Sequence, residues 1–149
     1  MTFKENVYEQ CKKVVNDKIQ FLRQTLADLK ESASNETKST AGDKHETALA
    51  MLQIEQENTN RQLEALLAIK LSIEKINAGV VPKQVVNGAL VKTSKGYLYL
   101  IAALGKVTID ETTVIALSCQ SPLGSKLMGL NVGEMATING MAYEIESIE

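Results

Sequence analysis

The chain has 149 residues, 44% of them hydrophobic and 23% charged, with sixteen basic and eighteen acidic side chains for a formal charge of −2. That is enough for one ordinary domain or two small ones with a packed core, and it excludes global disorder. Aromatic residues make up only 4% and Trp is absent, which argues against a base-stacking platform or a large aromatic pocket; the charge balance lacks the concentrated basic surface of autonomous DNA binding.

The N-terminus turns charged at Lys4 and Glu5, so no signal peptide is expected, and no apolar stretch approaches the ~20 residues that span a bilayer. The expectation is a cytoplasmic protein that engages no membrane. From residue 3 to about 31, Phe3, Val7, Cys11, Val14, Val15, Ile19, Leu22, Leu26 and Leu29 recur at three- and four-residue steps, predicting a helix with one apolar side. Thr2 followed by Glu5 has the form of a capping box at its start. Lys12, Lys13, Lys18, Arg23 and Lys30 read as its solvated face.

Ser32 to Gly42 is small, polar and rich in turn formers, which marks the distal end of a hairpin. A second helix is predicted from about Lys44 to Asn77, with Ala48, Leu52, Leu63, Leu66, Ile69, Ile73 and Ile76 as its stripe; Gln56 and Thr59 interrupt that stripe, so looser packing is expected there. Neither helix can be buried all round, and the stable arrangement is an antiparallel coiled-coil pair.

After Gly79 the period changes, and Pro82 ends helical geometry. Strand-like runs follow at 89–93, 97–102, 107–109, 113–119, 135–138 and 141–148, the last two flanking Asn139-Gly140, a strong type I′ hairpin signal. Ser121-Pro122 predicts an N-cap with Pro at the first position of a short helix that packs Leu123, Leu127 and Met128 on the sheet and closes at Gly129. The whole is α+β, with a hairpin over 1–79 and a small antiparallel sheet domain with one short helix over 80–149.

Cys11 and Cys119 lie far apart, match no metal spacing and read as buried reduced thiols. Asp43 and Glu46 fit a capping box opening the second helix, and carboxylates also suit a helix N-terminus. At the tip of a long hairpin the same pair is placed to reach outward. His45, the only histidine, lies between them and reads as solvated; Glu36 adds a further acid to a tip spanning about 36–47. No nucleophile–base pair or phosphate-cradling loop supports a freestanding enzyme. Prolyl isomerase chemistry wants an aromatic-lined pocket, and residues 80–149 offer only Tyr97, Tyr99 and Tyr143.

Gly42-Asp43-Lys44-His45-Glu46-Thr47-Ala48, followed by Glu55-Gln56, resembles the Gly-Asp-x-x-Glu-Asn-Ala tip motif of the Gre transcript-cleavage factors of bacterial RNA polymerase. Ser121-Pro122-Leu123-Gly124-Ser125-Lys126-Leu127-Met128-Gly129, with Val132-Gly133-Glu134, is similar to the Ser-Pro-hydrophobic loop and Gly-acidic turn of that family's FKBP-like C-terminal domain. The resemblance implies a transcription elongation factor whose hairpin enters the polymerase secondary channel. There Asp43 and Glu46 would help hold a second Mg²⁺ and stimulate cleavage of backtracked RNA.

The same resemblance makes Ser121, Pro122, Leu123 and Gly124 the polymerase-binding segment. Nascent RNA would be met only within that complex, and the chain would be an accessory factor with no Mg²⁺ of its own. The chain departs from the family pattern at Thr47, in place of Asn, and at Leu49-Ala50, in place of an acidic-aromatic pair; the arm before Gly42 lacks the arginine often seen there. A channel-binding modulator without cleavage activity is the alternative.

Overall fold

A computed structural model describes residues 1–37 and 43–149, with all of their side chains except those of Thr37, Asp43 and Lys44. Helices α1 (Phe3–Thr37) and α2 (Asp43–Glu74) form a helical hairpin. They precede a six-stranded sheet of β1 (Leu90–Thr93), β2 (Gly96–Leu100), β3 (Gly105–Ile109), β4 (Thr112–Leu117), β5 (Met135–Ile138) and β6 (Met141–Ile148). Helix α3 (Pro122–Leu127) lies between β4 and β5 in sequence. The chain divides into two compact units, Val15–Lys70 and the combination of Met1–Val14 with Leu71–Glu149.

In the unit Val15–Lys70 the two helices are joined along a narrow seam. On α1, Val15, Ile19, Leu22 and Leu26 are buried, and Leu29, Ala33 and Glu36 are half-buried. On α2, Thr59 is buried and His45, Leu49, Leu52, Gln56, Leu63 and Leu66 are half-buried. Both series advance by alternating steps of three and four, the seven-residue repeat that keeps one face of a helix turned to its neighbour.

The same repeat explains where α1 departs from expectation. The Ser/Thr/Asn-rich stretch from Ser32 was expected to be a turn, yet the helix continues to Thr37. Ala33 and Glu36 extend the seam by two further positions, and tertiary pairing outweighs the weak helix preference of Ser and Asn. Thr59, which interrupts the apolar stripe, is only 5% exposed.

The second unit is built on the sheet, ordered β3-β4-β2-β1-β6-β5. Its pairs are antiparallel except β2 with β4, which run parallel in the register Tyr97↔Val114 to Leu100↔Leu117. A parallel pair needs a crossover connection, and here β3 lies between the two in sequence.

Strand alternation sends side chains to both faces of the sheet. Val91, Leu98, Leu100, Leu117 and Ile145 join Val85 and Leu127 in one core, against which Leu123, Met128 and Leu130 also pack. The opposite face carries Tyr97, whose ring centroid lies 5.0 Å from that of Phe3, and Tyr99, which is fully buried. Val7 and Cys11, in the first turns of α1, are likewise fully buried.

Two side-chain bonds tie those first turns down within this unit: Lys4 Nζ donates to the Val80 carbonyl at 2.7 Å, and Tyr8 Oη donates to the Ile73 carbonyl at 3.0 Å. Thr2 caps α1, its Oγ1 accepting from the Glu5 amide at 3.1 Å. Asn139 and Gly140 both have positive φ (51° and 77°), the type I′ geometry read from the sequence. Asp110 and Glu111 also have positive φ (46° and 68°), so the tight β3–β4 turn is made without glycine, by an Asp, which enters that region more readily than most residues, and a Glu, which does so rarely.

Candidate functional site

The first group of candidate residues sits where α2 begins. Asp43 is the first residue of α2, and its side chain lies outside the described residues, as do Gly42 and the proposed Asp43 cap. Glu46 falls in the first turn of α2 and is exposed. The first four amides of a helix lack intrahelical partners and favour negative charge, so this turn suits both acids. Among the described residues, no three His, Cys, Asp or Glu side chains gather as a metal site.

His45 is not the solvated side chain expected. Its side chain is 20% exposed, Nδ1 lies 3.6 Å from Glu36 Oε1, and Glu36 is 32% exposed. Among the described residues Nδ1 has no hydrogen-bond partner, and it has almost no contact with water. The reason is positional: His45 lies one step of four before Leu49 on the α2 seam, and Glu36 one step of three beyond Ala33 on α1. Extending the repeat past its last apolar residue would have revealed this pair, which reading for hydrophobic residues alone passes over.

The second group belongs to α3, and its residues divide between structural and surface roles. Ser121 is the N-cap, its Oγ accepting from the Gly124 amide at 3.0 Å while donating to the Ser118 carbonyl at 2.7 Å. The Ser121 amide bonds the same carbonyl at 3.0 Å, and the Ser118 Oγ accepts from the Gln120 amide at 3.1 Å. Pro122 is exposed and occupies the first helical position, where its missing N–H costs nothing. Leu123 is half-buried against the core.

Gly124 is buried, and a Cβ on it would collide with the Ser118 carbonyl oxygen. Glycine is demanded there by space. Gly129 follows the helix with φ +83° and donates to the Val85 carbonyl at 2.7 Å. Lys126 Nζ reaches the Thr137 carbonyl of β5 at 2.8 Å. Glu134 Oε1 accepts from both the amide and the side chain of Asn131, at 2.8 and 2.9 Å. Those bonds hold its carboxyl below the usual range.

The cysteines make no disulfide. Cys11 is buried, Cys119 half-buried, and both are free. Among the described residues no helix is long and apolar enough to cross a membrane.

No protein-family model matches the chain, and no curated protein does. Among solved structures it is similar to one described as the transcription factor Gfh1, at 15% identity over 95% of this chain and 92% of that one, with a TM-score of 0.37.

Proposed function

We propose that this protein is a Gre-like accessory factor of RNA polymerase, with Asp43 and Glu46 lent to the polymerase active centre to promote its cleavage of backtracked RNA. The observation that carries the reading is the location of the tip motif. Its two acids fall on the first turn of the second helix of a hairpin, and Glu46 is exposed there. The Ser-Pro-x-Gly segment of the same family resemblance forms a capped helix in the sheet domain, with Pro122 exposed.

Carboxylates fit the metal that this activity requires. Mg²⁺ takes hard oxygen ligands, few of them from protein, and keeps several waters. A second such ion stabilises the attacking and leaving oxygens of phosphodiester hydrolysis. Two carboxylates alone bind it too weakly to make a site, so the polymerase must supply the rest. The protein acts as an accessory factor, and RNA is met only inside that complex.

One observation favours a second reading, a channel-binding modulator that does not promote cleavage. Leu49, where the family resemblance calls for an acid, is half-buried on the helix seam and offers nothing to a metal or to RNA. A backtracked elongation complex assembled with the cognate polymerase and Mg²⁺ separates the two. Cleavage by wild type, lost in the Asp43→Asn/Glu46→Gln double variant, supports the first reading. Binding without shortened transcripts supports the second, and absence of polymerase binding refutes both.

A further inference from the structure

We infer that Glu36 and His45 form a positioning pair that sets the register at the end of the hairpin, and so holds in place the turn of backbone carrying Asp43 and Glu46. For its bearing on cleavage this rests on the function proposed above; the pairing itself does not. Three observations carry it. Both residues occupy seam positions, at the ends of the series Leu29, Ala33, Glu36 and His45, Leu49, Leu52. The two side chains meet across the helices at 3.6 Å, each more than half covered. Among the described residues His45 Nδ1 has no hydrogen-bond partner and is shut off from water, and the Glu36 carboxylate lies 3.6 Å from it.

A seam of leucines holds two helices together without specifying which layer meets which. A polar layer specifies it, because any slip sets a polar group against an apolar one. Stepping inward by seven from this contact brings Leu29 level with Leu52, and Leu22 level with Thr59. Displacing α2 by one layer would place His45 or Glu36 against Leu or Ala.

The pair also stands at the last turn of α1 and the first turn of α2. No described seam layer lies closer to the acids. Glu36 matches nothing in the tip motif, so its part is to hold the backbone rather than to touch metal or RNA.

The test uses the full-length protein and three variants: Glu36→Gln, His45→Gln, and the exchange Glu36→His with His45→Glu. Amide hydrogen exchange is followed at Thr47 to Ala50, whose helical bonds run back to the carbonyls of residues 43–46. Each single variant is expected to speed exchange there by about two- to fivefold, the span of a partly exposed polar side-chain contact. The exchanged pair is expected to restore it, which a merely structural loss of side-chain packing would not. Unchanged exchange in the single variants, or an exchanged pair no better than they are, overturns the inference. In the polymerase assay the single variants should lower cleavage by a similar factor, with rescue by the exchanged pair. If the exchange pattern holds while wild type cleaves nothing, the positioning pair stands and the cleavage reading falls.

Discussion

Replacing Gly124 with alanine sets two effects of known size against each other. Inside a helix, Gly→Ala is worth about 1 kcal/mol in favour of alanine. Here the added Cβ would collide with the Ser118 carbonyl oxygen and come within 2.9 Å of Ser121 Oγ and 3.0 Å of Cys119 Cα. Two of the three neighbours are backbone atoms, so no side-chain rotation gives relief. Overpacking of this kind costs about 1–3 kcal/mol. Displacing Ser118 also disturbs the Ser121 cap, for about 1 kcal/mol more.

The balance is a net loss of about 1–3 kcal/mol, opposite in sign to helix propensity. Urea unfolding followed by tyrosine fluorescence measures it, because Tyr8, Tyr97, Tyr99 and Tyr143 all lie in the unit that contains α3. With a slope of roughly 2 kcal/mol per molar, the midpoint should fall by about 0.5–1.5 M. Ser125→Ala, on the exposed side of the same helix, should stay within about 0.5 kcal/mol of wild type. An unchanged or raised midpoint for Gly124→Ala would refute the steric argument.

Burial pushes the Cys11 thiol from 9.0 up to about 12. The unfolded thiol therefore releases its proton while the folded one keeps it. The contribution to stability is fully present below pH 9 and is lost between about 9 and 12, at up to about 1.4 kcal/mol per pH unit. Cys11→Ala should unfold more easily at neutral pH, by about 1–2 kcal/mol for the cavity, but should lose less stability across the alkaline window; parallel curves for the two proteins would refute this. Tyr99 carries a buried hydroxyl that has no hydrogen-bond partner among the described residues. Tyr99→Phe should raise stability by up to about 1 kcal/mol in thermal or urea unfolding, and a clear loss would show that the hydroxyl is held by a group not yet identified.

Local signals in the sequence carried far. Asn139-Gly140 located the β5–β6 hairpin to the residue, because a type I′ turn leaves few other choices of residue. Ser121-Pro122 and Gly129 bracketed α3 for equally local reasons. Non-local choices were harder to read. Nothing in β2 or β4 announces that they run parallel, since that depends on where β3 folds away. The Asp110-Glu111 turn lacks the glycine that usually betrays such a bend.

The end of α1 is hard to read because Ser32, Ser34, Asn35 and Thr37 are weak helix formers, and only the seam positions of Ala33 and Glu36 explain the extra turns. At the candidate site, the motif drew attention to Asp43 and Glu46, while its neighbours Glu36 and His45 were legible only as continuations of a seven-residue repeat. The need for Gly124 lies in the approach of one carbonyl, which no pattern of residue types displays.

The repeat also governs how the hairpin can change length over evolutionary time. Seven residues added to each helix would lengthen it by about 10 Å and return every side chain to its own face. A single inserted residue would instead turn everything beyond it by about 100° around the helix axis, carrying Leu49 out of the seam and the acids to another side. Lengths among descendants of this chain should therefore differ in whole heptads, matched on both arms, so that the hairpin behaves as a ruler graduated in steps of two helical turns.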